Sequence, residues 1–222
     1  MVAACTGDAD DDSASASDSA DSHDTDDGGG GLCGGYVGFT HVGRSWRYEY
    51  TGSVTGFTEM TLTDISGTDV VAVSTGELAG TGYESSFEAT YYYSCAMDGA
   101  AITRYEMTQT VDSGSGPRES ELVVTYSEDC PGVRAEMSPG DSWSCSTVGT
   151  VNVDGTQSEV AVDIDHTVAD GGNVTTDAGS WATLEVDSTS HAGGTDVDYS
   201  GWVADGVGAV KGDNFELTEY TP

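Results

Sequence analysis

The sequence predicts an all-β fold with little helix: a curved antiparallel sheet or half-barrel of about ten strands, with a folded-over sheet or a closed barrel as alternatives. Short runs that alternate apolar and polar residues recur along the chain, as expected for strands with one buried face. The residue types that favour strands, Val, Thr, Tyr and Trp, are abundant. Turns rich in Gly, Asp and Asn separate the runs, and the signals that begin and end helices are nearly absent.

The predicted strands follow one another from residue 45 to residue 220. In the first, Ser45–Tyr50, the aromatic residues Trp46, Tyr48 and Tyr50 alternate with other residues and therefore share one face. The later runs are Thr58–Ile65, Val70–Val73, Phe87–Tyr93, Ile102–Thr110, Glu121–Tyr126, Val148–Val153, Val160–Val168, Trp181–Val186 and Phe215–Tyr220. We expect residues 32–222 to form a single domain, because about 190 residues can bury a complete core.

A faint internal repeat divides this domain. The segment Val42-Gly43-Arg44-Ser45-Trp46 is echoed by Pro139-Gly140-Asp141-Ser142-Trp143, and each opens a predicted strand after a turn. The repeat suggests two duplicated β-meanders in which each tryptophan fills one end of a shared core. The split between the two halves is expected near residues 131–139.

The charge excludes several partners. The chain has 222 residues, with 39 acidic residues against 6 Lys and Arg, for a net charge of −33. So few basic residues cannot neutralise a row of phosphates, so no nucleic acid is expected as a partner. Direct attraction to an anionic membrane surface is excluded for the same reason. The chain contains no run of about 18 apolar residues, so the sequence predicts no transmembrane helix.

The acidic residues of the predicted domain fit the outer faces of strands. In Val160-Ala161-Val162-Asp163-Ile164-Asp165, the valines and the isoleucine face one side and the two aspartates face the other. Paired carboxylates on one face could hold calcium, which makes Asp163 and Asp165 weak metal candidates. A solvated outer face is favoured, because no EF-hand or nonapeptide calcium motif accompanies them. The sequence thus predicts no metal site and no cofactor.

Residues 1–31 predict a disordered acidic tether. They hold nine Asp and no Lys or Arg, and they end in a run of glycines. Val2-Ala3-Ala4-Cys5 resembles the lipobox of bacterial lipoproteins, which implies that Cys5 is acylated and that the membrane is contacted only through the lipid. Thr6 follows the cysteine, and by the same resemblance this favours the outer membrane of a Gram-negative bacterium. By this resemblance we expect the basic and apolar part of a secretion signal to lie upstream of Met1 or to have been removed; a free cysteine in a disordered tail is the alternative.

The other four cysteines predict two disulfides in an exported protein. Cys33, Cys95, Cys130 and Cys145 form no CxxC pair, so a zinc site is not indicated. Three pairings are open. Cys95–Cys130 is preferred, because each residue is expected near a strand end in one local subdomain, and Cys33–Cys145 then remains.

No catalytic motif stands out. Asp112-Ser113-Gly114-Ser115-Gly116-Pro117 superficially resembles a serine-peptidase segment, but a hairpin loop is favoured, because no histidine in the expected context accompanies the serines. A hydrolase built on two carboxylates needs only spatial proximity, and no pair is marked. The sequence therefore predicts a protein that is not an enzyme, with the carboxylate hydrolase left open.

Four C-terminal elements carry a family resemblance. They are Gly140-Asp141-Ser142-Trp143, Ala178-Gly179-Ser180-Trp181, the segment WVADGVGAVK at 202–211, and Glu216-Leu217-Thr218-Glu219-Tyr220. Their order is similar to that in the TapB-like lipoproteins and related secreted β-domain proteins of bacteria. The resemblance implies a strongly curved antiparallel sheet whose concave face can hold apolar ligands, and it implies no enzymatic activity. The glycines of Asp205-Gly206-Val207-Gly208 independently predict a tight turn between two strands.

These observations predict a non-catalytic, lipid-anchored protein of the cell envelope or cell surface that acts as a binding or structural module, with an envelope protein as one expected partner. The alternative is a periplasmic carrier or chaperone that holds an apolar ligand on the concave face of the sheet. The candidate ligand-facing aromatics are Tyr91, Tyr93, Trp143, Trp181 and Trp202. A halophilic protein is a further alternative, because the acidic excess fits one.

Overall fold

The strands close into an antiparallel barrel. The computed structural model describes residues 33–95 and 99–222. Within them the strands are β1 Ser45–Tyr50, β2 Val54–Ser66, β3 Asp69–Gly80, β4 Tyr83–Ser94, β5 Gly99–Asp112, β6 Pro117–Tyr126, β7 Val133–Arg134, β8 Ser142–Val153, β9 Thr156–Thr176, β10 Gly179–Ala192, β11 Thr195–Ala204, β12 Gly208–Gly212 and β13 Phe215–Thr221. The one helical element of the described residues is a 3₁₀ turn at Gly35–Val37.

Twelve strands form the barrel in an up-and-down order. Apart from β7, each strand pairs with the strands before and after it in sequence, so β6 pairs with β8. The two-residue β7 pairs with the start of β5. The first and last strands pair from Ser45 with Thr221 to Tyr50 with Phe215. The prediction of an antiparallel all-β fold with little helix is confirmed. The prediction of an open curved sheet or half-barrel is wrong, because β1 and β13 satisfy each other's edges and close the sheet.

The two ends of the barrel differ. Tight hairpins at 51–53, 81–82, 113–116, 154–155, 193–194 and 213–214 join the strands at one end, here called the open end. The predicted hairpin loop at Asp112–Pro117 is among them, and the Asp112 carboxylate accepts the Gly114 N–H at 2.8 Å. The opposite end, here called the plug end, carries the long connection 127–141 and the segment 33–44 that precedes β1.

The segment 33–39 plugs this end of the barrel. Its backbone bonds to two neighbouring loops: the Tyr36 N–H donates to the carbonyl of Ala135, and the Gly206 N–H donates to the carbonyl of Gly35. The Phe39 ring packs edge-on against Trp46 and Tyr93, with ring centroids 5.8 and 4.9 Å apart. Backbone bonds and aromatic packing together fix the segment as part of the core.

Arg44 holds the plug to the β11–β12 turn. Its buried guanidinium donates from Nη1 to the carbonyls of Gly38, at 2.6 Å, and Gly206, at 2.8 Å. The predicted glycine turn at 205–208 is confirmed, because Gly206 and Gly208 have φ of 71° and 92°. A Cβ at Gly208 would lie 3.0 Å from the Val37 carbonyl oxygen, so this turn accepts no side chain against the plug.

Both disulfides fasten this plugged end. Cys33 in the plug is bonded to Cys95 at the end of β4, and Cys130 in the 127–141 connection is bonded to Cys145 in β8. The prediction of two disulfides is confirmed. The preferred pairing of Cys95 with Cys130 and Cys33 with Cys145 is wrong, because the plug segment crosses to β4 while the long connection folds back on the strand that follows it.

Two hydrophobic clusters form the core. The larger holds Trp46, Leu62, Val210 and Leu217, and the smaller holds Trp143 with its neighbours from β9, β10 and β11. Trp46 and Trp143 each donate from Nε1 to a carbonyl of the plug end, of Val207 and Pro131 respectively. Six strands lie on each side of the 127–141 connection, so β1 and β8 stand on opposite sides of the barrel.

The outer faces carry the charge. In β9 the side chains of Val160, Val162 and Ile164 are partly buried, whereas Asp163 and Asp165 are exposed, as the alternation predicts. Among residues 33–95 and 99–222, no helix has the length and apolar character needed to cross a membrane.

Candidate functional site

The interior of the barrel contains an apolar cavity of about 630 Å³. It begins beneath the plug and is walled by residues of β1, β2, β4, β5, β6, β8, β9, β10, β11 and β12. Its aromatic lining residues are Tyr36, Phe39, Trp46, Tyr48, Tyr93, Tyr126 and Tyr199. The other lining residues are mainly aliphatic, and the volume lies within the range of small-molecule binding sites.

No charged side chain lines this cavity: its walls include no Asp, Glu, Lys, Arg or His of the described residues. The polar groups are hydroxyls. Tyr48 donates to the carbonyl of Ala209 at 3.1 Å, and Tyr93 reaches only the Met60 sulfur, at 3.9 Å. The cavity is therefore a neutral, largely apolar space with a few hydrogen-bonding positions.

Four further hydroxyls of the lining make no hydrogen bond within the described part of the chain. They belong to Tyr36, Tyr126, Ser190 and Tyr199. By contrast, the Thr147 hydroxyl in the same wall donates to the carbonyl of Glu128 at 3.1 Å. The unpaired hydroxyls are free to bond to a molecule that occupies the cavity.

Burial keeps three of the lining tyrosines, Tyr48, Tyr93 and Tyr126, protonated. Desolvation raises the pKa of Tyr48 and of Tyr93 well above the ordinary tyrosine value, and neighbouring tyrosines add to both shifts. Desolvation also raises the pKa of Tyr126. Each phenol is therefore a neutral hydrogen-bond donor throughout the physiological pH range.

The cavity communicates with solvent toward the open end. Tyr199 lines the cavity and is 44% exposed, and Val197, two residues away on the same face of β11, is 55% exposed. Exposed apolar side chains on the inner face mark a mouth, here defined by Val197 and Tyr199.

The aromatic residues proposed from the sequence take different positions. Tyr93 lines the cavity, and Tyr91 stacks against it with ring centroids 6.1 Å apart. Trp181 and Trp202 pack on the larger hydrophobic cluster, and Trp143 is buried in the smaller one. Among these five, Tyr93 alone contributes to the cavity wall.

Trp143 forms a stack with two basic residues. The His166 ring lies 4.6 Å from the indole at an interplanar angle of 23°, and the Arg134 guanidinium lies 4.9 Å from the Trp143 ring centroid. His166 is 1% exposed, and its Nδ1 is 2.7 Å from the Ser188 hydroxyl. Burial, helped by the Arg134 charge and opposed by Asp165, lowers the pKa of His166 to about 4.

This buried histidine makes stability pH-dependent. Because the pKa of His166 is lower in the folded state than the unfolded value of 6.5, its contribution is complete above pH 6.5 and is lost as the pH falls toward 4. Urea unfolding should show that the wild type loses about 3 kcal/mol more than His166→Gln between pH 7 and pH 4. Equal losses in the two proteins would contradict the lowered pKa.

The calcium candidates lie on the outer surface. Asp165 accepts a hydrogen bond from Ser144 and lies 3.4 Å from Nε2 of His191, whose Nδ1 is 2.7 Å from Asp196. The hydrogen bond to Asp196, then that to Asp165, raises the pKa of His191. Asp163 is exposed nearby. In the part of the chain that the structure describes, no group of three or more His, Cys, Asp or Glu is placed to hold a metal ion.

Most of the cavity wall is not predicted from the sequence. The plug residues Tyr36, Val37 and Phe39 lie before the first predicted strand, and Met60 and Tyr126 lie within predicted strands where no feature of the sequence marks them as cavity residues. One signal was present: an apolar cluster bounded by glycines, Gly35-Tyr36-Val37-Gly38-Phe39, precedes a strand that opens on a tryptophan.

Fold and cavity together define a class: a closed up-and-down β-barrel with an apolar, solvent-connected interior and a disulfide-fastened plug. Comparison with family models, curated proteins and solved structures finds no match to the chain. Function is therefore inferred from the residues of the barrel itself.

Proposed function

We propose that this chain is a non-catalytic, exported binding protein whose barrel holds an apolar small molecule. The observation that carries the proposal is the cavity of about 630 Å³ with its aromatic and aliphatic walls. Ligand sites of this kind are concave, mostly apolar and largely preformed. The proposal favours the carrier function over a purely structural one, because a structural barrel of this size gains stability from a filled interior.

The mouth and the plug support the same proposal. Tyr199 and Val197 expose apolar surface at the open end, which gives a ligand a route into the barrel. At the other end Phe39 packs on Trp46 and Tyr93, so the far wall of the cavity is solid. A cavity that is open to solvent at one end and closed by the plug at the other suits reversible binding of a ligand.

A matched pair of tryptophan variants tests the proposal. Ala192→Trp adds bulk to the cavity wall, whereas Ala161→Trp adds the same side chain to the exposed face of β9. The uncharged fluorescent probe N-phenyl-1-naphthylamine should bind the wild type and Ala161→Trp equally and bind Ala192→Trp at least about tenfold more weakly, a loss of about 1.4 kcal/mol.

Native mass spectrometry supplies the second measurement. After mild extraction, the wild type should carry additional mass from a bound apolar molecule, and Ala192→Trp should carry less of it. A wild type that binds no probe and shows only the mass of the chain would refute the proposed function.

We also propose that Cys5 is acylated and that the protein is held at the outer membrane or surface of a Gram-negative bacterium. Cys5 and the 1–31 tether lie outside the described residues. The support is the sequence Val2-Ala3-Ala4-Cys5 before an acidic tether, together with the resemblance to the TapB-like lipoproteins and the two disulfides expected of an exported protein.

Metabolic labelling tests the anchor. Cells that express the protein with its native upstream region should incorporate a palmitate analogue into it, and Cys5→Ser should abolish the label. Label that survives this substitution, or a wild type without label, would remove the anchor from the proposal while leaving the cavity untouched.

A further inference from the structure

We infer that the cavity selects an uncharged ligand that carries a hydroxyl or carbonyl oxygen, and that it rejects anionic amphiphiles such as fatty acids. This inference rests on the proposed function and names the class of ligand. It is carried by three features of the described residues: the neutrality of the wall, the unpaired hydroxyls within it, and the sign of the surrounding charge.

The wall offers nothing to neutralise a charged group. None of its side chains is basic, and neither arginine of the plug end lines it. Arg44 donates from Nη1 to the carbonyls of Gly38 and Gly206, and the Arg134 guanidinium lies against the Trp143 ring, although the buried Nε of each arginine has no hydrogen-bond partner in the described residues. A carboxylate or sulfate moved into this space would lose its hydration without gaining an ion pair, which is strongly unfavourable.

The wall does offer hydrogen-bond donors. The Tyr93 hydroxyl has only the Met60 sulfur as an acceptor, at 3.9 Å, and a thioether is a weak acceptor. The Tyr126 and Ser190 hydroxyls have no hydrogen-bond partner among residues 33–95 and 99–222. A ligand oxygen would pair with such donors, whereas a pure hydrocarbon would leave them unsatisfied.

The charge of the outer surface also disfavours anionic ligands. Residues 32–222 contain 30 acidic residues and 6 Lys and Arg, a net charge of −24. A field of this sign repels anions as they approach the mouth and leaves uncharged molecules unaffected. Selection by this outer field disappears in concentrated salt, where the Debye length is about 3 Å, whereas selection by the cavity wall persists.

Two probes with the same ring system separate these effects. N-phenyl-1-naphthylamine is uncharged, and 1-anilinonaphthalene-8-sulfonate adds one sulfonate. We expect the uncharged probe to bind at least about tenfold more tightly in 0.15 M NaCl, and the preference to remain in 1 M NaCl. Affinities within about threefold of each other in 1 M NaCl would overturn the inference and leave the proposed function standing. If neither probe binds, the proposed function fails and the inference with it.

Displacement of the uncharged probe then tests the ligand oxygen. We expect 1-decanol to displace it at concentrations at least about tenfold lower than decanoate, which has the same chain length and a charged head group. Removing two donors in the double variant Tyr126→Phe with Ser190→Ala should weaken the binding of 1-decanol by about three- to tenfold. The affinity for N-phenyl-1-naphthylamine should stay unchanged, which shows that the variant is folded. Equal displacement by the alcohol and the carboxylate would overturn the inference, as would a double variant that binds 1-decanol like the wild type.

Discussion

Replacing Cys33 and Cys95 by alanine is expected to lower the free energy of unfolding by about 4 kcal/mol. The two residues are 62 positions apart, so the disulfide closes a long loop and removes much conformational freedom from the unfolded chain. Both residues are also buried, and the bond ties the plug to the end of β4. Urea unfolding of the oxidised proteins, followed by tryptophan fluorescence, measures the difference.

The second disulfide is the matched control. Cys130 and Cys145 are only 15 positions apart, so removing them should cost about 3 kcal/mol, less than the longer loop. The loss of Cys33–Cys95 should also speed the release of N-phenyl-1-naphthylamine, because it frees the segment that walls off the plug end. A larger effect from the shorter loop, or unchanged stability in both variants, would contradict this account.

A second large effect is expected from salt. The Tm should rise by about 10 °C between 0.02 M and 1 M NaCl, equivalent to about 3 kcal/mol for a chain of this size. In the described residues, Lys and Arg make only four ion pairs. Arg47 pairs with Glu49, Glu59 and Glu219, and Arg104 pairs with Glu106. Most outer carboxylates therefore repel one another, and mobile cations relieve that repulsion.

A charge-reduced variant separates this effect from general salt stabilisation. Glu119, Glu159 and Asp163 are exposed and take part in no ion pair of the described residues. Changing them to Gln, Gln and Asn should raise the Tm at 0.02 M NaCl and reduce its dependence on salt. Calorimetry that finds the same Tm for the wild type at both salt concentrations would refute the prediction.

Local features of the fold could be predicted because they depend on neighbours in sequence. The alternation in Ser45–Tyr50 and Val160–Val168 identifies strands and their buried faces, and the glycines at 206 and 208 identify a turn. Closure of the barrel could not be predicted in this way. It depends on pairing between β1 and β13, about 170 residues apart, and no local pattern distinguishes an edge strand from one that finds a distant partner.

The same limit applies to the cavity and the disulfides. Tyr93 is a candidate from the sequence because aromatic residues line ligand sites. Trp181 and Trp202 are aromatic too, but they pack on a hydrophobic cluster instead. Whether an inner aromatic borders a void or another side chain depends on the plug, whose path across the barrel also determines that Cys33 reaches Cys95. Residue type alone carries no information about that path.

The pairing of Ser45 with Thr221 places the start of β1 beside the end of β13. Both residues lie at the plug end with Cys33, while Val197 and Tyr199 lie at the mouth at the other end. Both ends of the described barrel chain therefore emerge away from the mouth. Either end is suitable for immobilising the protein in binding experiments, because the attachment point is not at the mouth.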